Sequence, residues 1–136
     1  MFRLIKSFFP AKPPVEFRDA EFGVLTMSSG MWSGQAERGG RTIRFCVSGT
    51  DTTPDAALLD GVRYVLGGAD DVEQKAVGFL RAQNPSVQQG DFRFQGVDFP
   101  WEDKPDLYVM EFTLTGDDTI WRVDVEGGEP KSVWPR

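Results

Sequence analysis

The residues of this chain best equipped for chemistry are carboxylates, and their densest group is Asp98, Glu102 and Asp103 around Trp101, with Asp106 beyond. Two carboxyl groups can divide acid and base roles, as in glycoside hydrolysis, when their surroundings push their pKa values apart. Several oxygens together can instead hold a hard cation, but a calcium loop sets its ligands at a regular spacing that is absent here. Pro100-Trp101-Glu102-Asp103-Lys104-Pro105 reads as a loop rich in solvated acids, with Asp98 just before it and Asp106 just after. An aromatic anchor inside an acidic rim also suits contact with another protein. Asp98, Trp101, Glu102, Asp103 and Asp106 are accordingly the candidate partner-binding residues. No catalytic residue, metal ligand or cofactor is assigned.

Other catalytic arrangements lack their parts. The chain has no His and one Cys, so a Ser-His-Asp triad, a Cys-His pair, an imidazole metal site and an internal disulfide are all excluded. Cys46 falls on the outward register of a strand with Arg44 two residues away, which would lower the thiol pKa, yet it has no base partner and reads as inert. Ser28-Ser29-Gly30 and Gly116-Asp117-Asp118 read as turns. Neither a dinucleotide-binding glycine pattern nor a phosphate-binding loop occurs.

The charge is uneven. The chain carries a net −6; Arg3, Lys6, Lys12 and Arg18 against Glu16 give the first 18 residues +3, leaving −9 for the rest. Residues 91–129 hold eleven acids against Arg93, Lys104 and Arg122. A surface of this sign repels nucleic-acid phosphates and favours a basic protein partner, and it also serves plain solubility.

These groups must be positioned by a scaffold of strands. Apolar and polar residues alternate in Arg41–Ser48, where Ile43, Phe45 and Val47 share one side, and again in Asp106–Thr115 and Thr119–Glu126. Phe22–Met27 and Met31–Glu37 read as two further strands, joined by short glycine turns. Phe92 and Phe94 keep one phase and Val97 and Phe99 the next, which predicts a bulge at Gly96. Lys131–Trp134 reads as an optional final edge strand. Between the strand runs, Leu58, Val62, Val65 and Leu66 mark one helix, opened by Thr53-Pro54-Asp55 with the Thr53 hydroxyl as its cap and closed by Gly67-Gly68. Gly61 inside it weakens the helix unless a neighbour needs the space. A second helix starts in capping-box fashion at Asp70–Glu73 and stops at Asn84-Pro85.

The order β-β-β-α-α-β-β-β(-β) predicts the α+β class: an antiparallel sheet of about six or seven strands with two helices packed on one face. The expected core includes Leu25, Ile43, Phe45, Val47, Leu58, Val62, Leu66, Phe79, Leu80, Phe94, Met110, Phe112, Trp121 and Val123. Residues 15–136 form the single expected domain, and 1–14 a basic, aromatic N-terminal segment with a proline linker. The apolar run in that segment is too short for a signal peptide or a spanning helix, so cytoplasmic residence without stable membrane insertion is expected.

Phe22-Gly23-Val24-Leu25, Trp32-Ser33-Gly34, Gly40-Arg41-Thr42-Ile43, a helix pair and the closing 121–130 segment (WRVDVEGGEP) together resemble bacterial domain-of-unknown-function families of small α+β proteins. Some of these occur among toxin-immunity neighbourhoods. The resemblance covers residues 15–134 and implies a fold, with no catalytic residue. The resulting expectation is a non-enzymatic protein-binding module with an acidic surface, of immunity type in one version. A small enzyme using carboxylates in a cleft and an oligomer-forming structural protein are the alternatives.

Overall fold

The structure, a computed structural model, describes residues 15–134, with the backbone alone at 69 and 70; the N-terminal segment 1–14 lies outside the described residues. The element order is β1 (Glu16–Asp19), β2 (Gly23–Ser28), β3 (Met31–Arg38), β4 (Arg41–Ser48), α1 (Ala56–Gly67) and α2 (Ala69–Gln83). A 3-10 turn (Pro85–Val87) precedes β5 (Phe92–Phe99), β6 (Leu107–Leu114), β7 (Ile120–Glu126) and β8 (Glu129–Trp134). All eight strands join one sheet in sequence order. The α+β class and the two helices on one face are as expected, but the strand count rises to eight. The additional strand is β1, four residues long, which pairs antiparallel with β2 from Glu16–Thr26 to Asp19–Gly23.

Seven junctions hold the sheet, and six are antiparallel. β4 and β5 run parallel, Arg44 beside Gly96 and Val47 beside Phe99, so the sheet is mixed. The reason is the helix pair, which returns the chain to the end where β4 began. Tight turns close the hairpins: Ser29-Gly30, Gly39-Gly40 and Gly127-Gly128 all have positive φ at both central positions, the geometry that matches strand twist.

One face of every strand enters the core. Trp32, Ile43, Phe45, Val47, Phe94, Val97, Phe99, Met110, Phe112 and Val123 are essentially fully buried, as are Leu58, Val62, Val65, Ala76 and Leu80 from the helices. Phe79 of the expected core is only partly buried. The Gly96 bulge is present, as the register shift between Phe94 and Gly96, and it lets Phe92 and Phe94 before it and Val97 and Phe99 after it all face inward. Gly61 has its reason in Phe99: a Cβ there would lie 2.6 Å from the ring.

Both helix starts differ from expectation. Asp55, not Thr53, caps α1, its carboxylate accepting from Leu58 N at 3.1 Å, because Pro54 is held outside the helix in a bridge to Gly49. α2 begins one residue earlier than the expected capping box, with Gly68 at its cap and no side-chain capping bond, while Glu73 pairs with Arg41 at 3.2 Å. A network on α1 pins the β1–β2 hairpin: Arg63 binds Asp19, Glu21 and Asp60 and lies 5.5 Å from the Phe22 ring centre.

Candidate functional site

The loop from Pro100 to Asp106 joins β5 to β6 at one end of the sheet, and it is fastened on two sides. Ser48 Oγ at the end of β4 donates to Glu102 at 2.5 Å, and the Asp106 carbonyl accepts from Gly127 N in the β7–β8 turn at 3.0 Å. Within it, Lys104 N donates to the Trp101 carbonyl and Leu107 N to the Lys104 carbonyl, at 3.2 and 3.1 Å, so two turns follow each other. The loop is thus held in place by its backbone and by the Glu102 carboxylate, and the side chains of Trp101, Asp103 and Asp106 are exposed. Trp101 is 42% exposed, a large fraction for an indole, and Glu102, Asp103 and Asp106 are exposed beside it. Glu126, exposed at the edge of the neighbouring turn, adds a fourth carboxylate at this end. Among the described residues none of the four joins an ion pair; the eight pairs present involve other acids.

Asp98 stands apart from the other four sequence-derived candidates. It lies on β5, facing the uncovered side of the sheet, in register with Cys46 of β4 on one side and Val109 of β6 on the other. The strand holds it half-buried beside Glu111. Burial pushes its carboxyl above the usual aspartate range and the Glu111 charge pushes the same way, against a hydrogen bond from the Cys46 thiol. An open cavity of about 190 Å³ lies over this spot, lined by Arg44, Cys46, Asp98, Glu111 and Ile120 among others.

The thiol itself is raised, chiefly by burial and then by the Asp98 carboxylate; Ser33, 3.3 Å away, pulls in the opposite direction, and Arg44 is the weakest influence. The sequence-based case for a lowered thiol is therefore overturned. Arg44 is next-but-one in sequence, whereas Asp98 is the nearest charged neighbour across the sheet.

The acids of residues 91–129 do not form one surface. Glu102, Asp103, Asp106, Glu126 and Glu129 cluster at the loop end, where Glu129 pairs with Lys75. Asp98, Glu111 and Asp124 lie on the open sheet face. Asp91, Asp117 and Asp118 sit at the opposite end, where β5 begins and β6 turns into β7. Asp117 accepts from both the backbone N and the hydroxyl of Thr119, which holds its carboxyl below the usual range and marks it as turn-forming.

The other tryptophans divide as packing would have it, with one exception. Trp32 is fully buried and its Nε1 donates to the Thr50 carbonyl at 2.9 Å, and Trp121 is buried against Phe92. Trp134 is 43% exposed, with its Nε1 donating to Asp124 at 3.2 Å. Among the described residues no group of three or more His, Cys, Asp or Glu side chains is placed to hold a metal ion, and no helix is long and apolar enough to cross a membrane. Comparison with protein-family models, with curated proteins and with solved structures finds no match.

Proposed function

We propose that this protein is a binding module that docks a basic protein through the loop end of its sheet. The observation that carries the reading is Trp101, exposed on a fastened loop amid the carboxylates of Glu102, Asp103 and Asp106, none of which joins an ion pair among the described residues. An exposed indole offers a large, rigid contact area, and carboxylates around it steer an oppositely charged surface into register. Because the loop is already fixed, little ordering cost is added on contact. Covering a basic surface is also what an immunity-type inhibitor would do to its toxin, the version that the resemblance suggests.

The test is salt-graded retention of native-lysate proteins on immobilised chain, comparing wild type with Trp101→Ala and with a Glu102→Gln, Asp103→Asn, Asp106→Asn variant. Wild type is expected to hold a basic protein, with Trp101→Ala weakening it by about 2 kcal/mol, roughly thirtyfold. The charge variant loses mainly the salt dependence. Identical retention by all three chains overturns the reading.

A second reading, a small enzyme using paired carboxylates, has one observation on its side. Asp98 and Glu111 line the same open cavity, and burial together with the Glu111 charge raises the Asp98 carboxyl, the kind of asymmetry that acid–base work uses.

A further inference from the structure

The sheet is interrupted inside itself. β3 pairs with β4 along its whole length, from Met31–Ser48 to Arg38–Arg41, but with β2 only from Ser28–Met31 to Thr26–Ser33. The two-residue turns flanking β3 settle which backbone groups point into the gap. Residues that close such a turn, Ser28 with Met31 and Arg38 with Arg41, form a hydrogen-bonded pair, and bonding alternates from there. Even-numbered β3 positions therefore bond to β4, and odd-numbered ones face β2. Met31 and Ser33 find ladder partners on that side. Gln35 and Glu37 do not, and by the same alternation neither does Val24 on the opposite wall.

The gap is a groove with a floor. Phe22 closes it on the helix side, its ring 4.8 Å from that of Phe45, and the Arg38–Glu21 ion pair at 3.1 Å lies beyond. The other side is the uncovered sheet face, where about 340 Å³ of open space is lined by Val24, Thr26, Ser33, Gln35 and Arg44. In a strongly acidic protein this inner lining contains no carboxylate; Glu37 lies farther out, toward the mouth, where it accepts from the Thr42 hydroxyl. The one charged residue of the inner lining is Arg44, which joins no ion pair among the described residues. The hydroxyl of Thr26 and the amide of Gln35 add donors, while the Ser33 hydroxyl is bonded to Cys46.

Two properties narrow the occupant. Unpaired N–H and C=O groups on facing walls are complemented by peptide main chain, as in strand addition to a sheet edge. The ladder closes at Thr26–Ser33, so an extended chain can slide in by one end and cannot pass through. That end meets the Arg44 guanidinium and the Thr26 hydroxyl, which suit a carboxylate, and the guanidinium opposes an ammonium. The four β3 residues from Gln35 to Arg38 span roughly 14 Å at about 3.4 Å each, matching three or four peptide residues.

We infer that the split between β2 and β3 is a binding site for the free carboxyl end of an extended peptide. The groove opens toward the Gly39-Gly40 turn, at the end of the sheet away from Trp101, so the inference is independent of the docking reading.

The experiment titrates the full ¹⁵N-labelled chain with a pool of acetylated tetrapeptides randomised at all four positions, as free acids, as C-terminal amides, and against acetate alone. The free-acid pool is expected to shift the backbone amides of Val24, Gln35 and Glu37, with the amidated pool at least tenfold weaker. Arg44→Gln should abolish that difference while Arg93→Gln, elsewhere on the same face, retains it. The inference is overturned by equal binding of acid and amide, by shifts confined to other residues, by no shift at millimolar pool, or by acetate binding as tightly as the peptides.

Discussion

Cys46 and Asp98 face each other in register across the parallel junction of β4 and β5, and they act on each other in opposite directions: the Asp98 carboxylate raises the thiol, whereas the thiol's hydrogen bond eases ionisation of a carboxyl that burial and Glu111 hold up. Asp98 disfavours a thiolate beside it, and burial adds to the effect. The thiol is thus a hydrogen-bonding part of the sheet surface, bonded to Ser33 as well.

Alkylation kinetics check this. Iodoacetamide is expected to modify Cys46 at pH 8 about tenfold or more slowly than a free thiol, since only the thiolate reacts. Asp98→Asn should speed the reaction and move its pH profile downward. A wild-type profile centred below that of free cysteine would refute the assignment.

Two helical glycines should respond to alanine with opposite signs. In α2, a Cβ at Gly78 meets nothing within 4 Å, so Gly78→Ala should stabilise by up to about 1 kcal/mol through helix propensity. In α1 the same gain is available at Gly61, but the new Cβ would press on the Phe99 ring, which is buried and stacked on Tyr108 at 4.7 Å. Overpacking of this kind costs about 1–3 kcal/mol, so Gly61→Ala should destabilise on balance. Urea midpoints of the two variants decide it.

Asp19 governs part of the acid sensitivity. Burial alone would raise its carboxyl, but the backbone N–H groups of Phe22 and Glu21 and the Arg63 guanidinium outweigh it and hold the group below the usual range. A depressed folded pKa contributes stability that is complete above the unfolded value of about 3.9 and is lost as pH falls through the lower folded value. Asp19→Asn keeps an acceptor for the backbone but turns an amide donor toward Arg63, so it should cost about 1–3 kcal/mol near pH 7. Its stability curve should also be flatter than wild type below about pH 4. Parallel curves for the two proteins would show that the carboxylate is not the group responsible.

Much of the architecture was legible because it follows from local rules. Alternation placed Ile43, Phe45 and Val47 on one side, paired glycines marked the hairpins, and the phase change at Gly96 gave away the bulge. Trp101 and its acids could also be located, since a loop between two prolines keeps neighbours in sequence close in space. β1 escaped notice because four residues carry too little periodicity, and the contacts that hold it, with β2, with Trp32 through Phe17 and with Arg63 through Asp19, include partners distant in sequence.

By itself, then, the chain's order of residues determined the α+β class, the helix pair between two strand runs, the inward faces and the acidic, histidine-free chemistry, all of which depend on side-chain period and composition. Tertiary structure alone decided that Asp98 turns to Cys46 instead of joining Trp101, that the acids separate onto two ends and a face, and that β2 leaves β3 early enough to open a groove. Those outcomes depend on strand register and on which strand lies beside which, quantities set by packing between residues far apart in the chain.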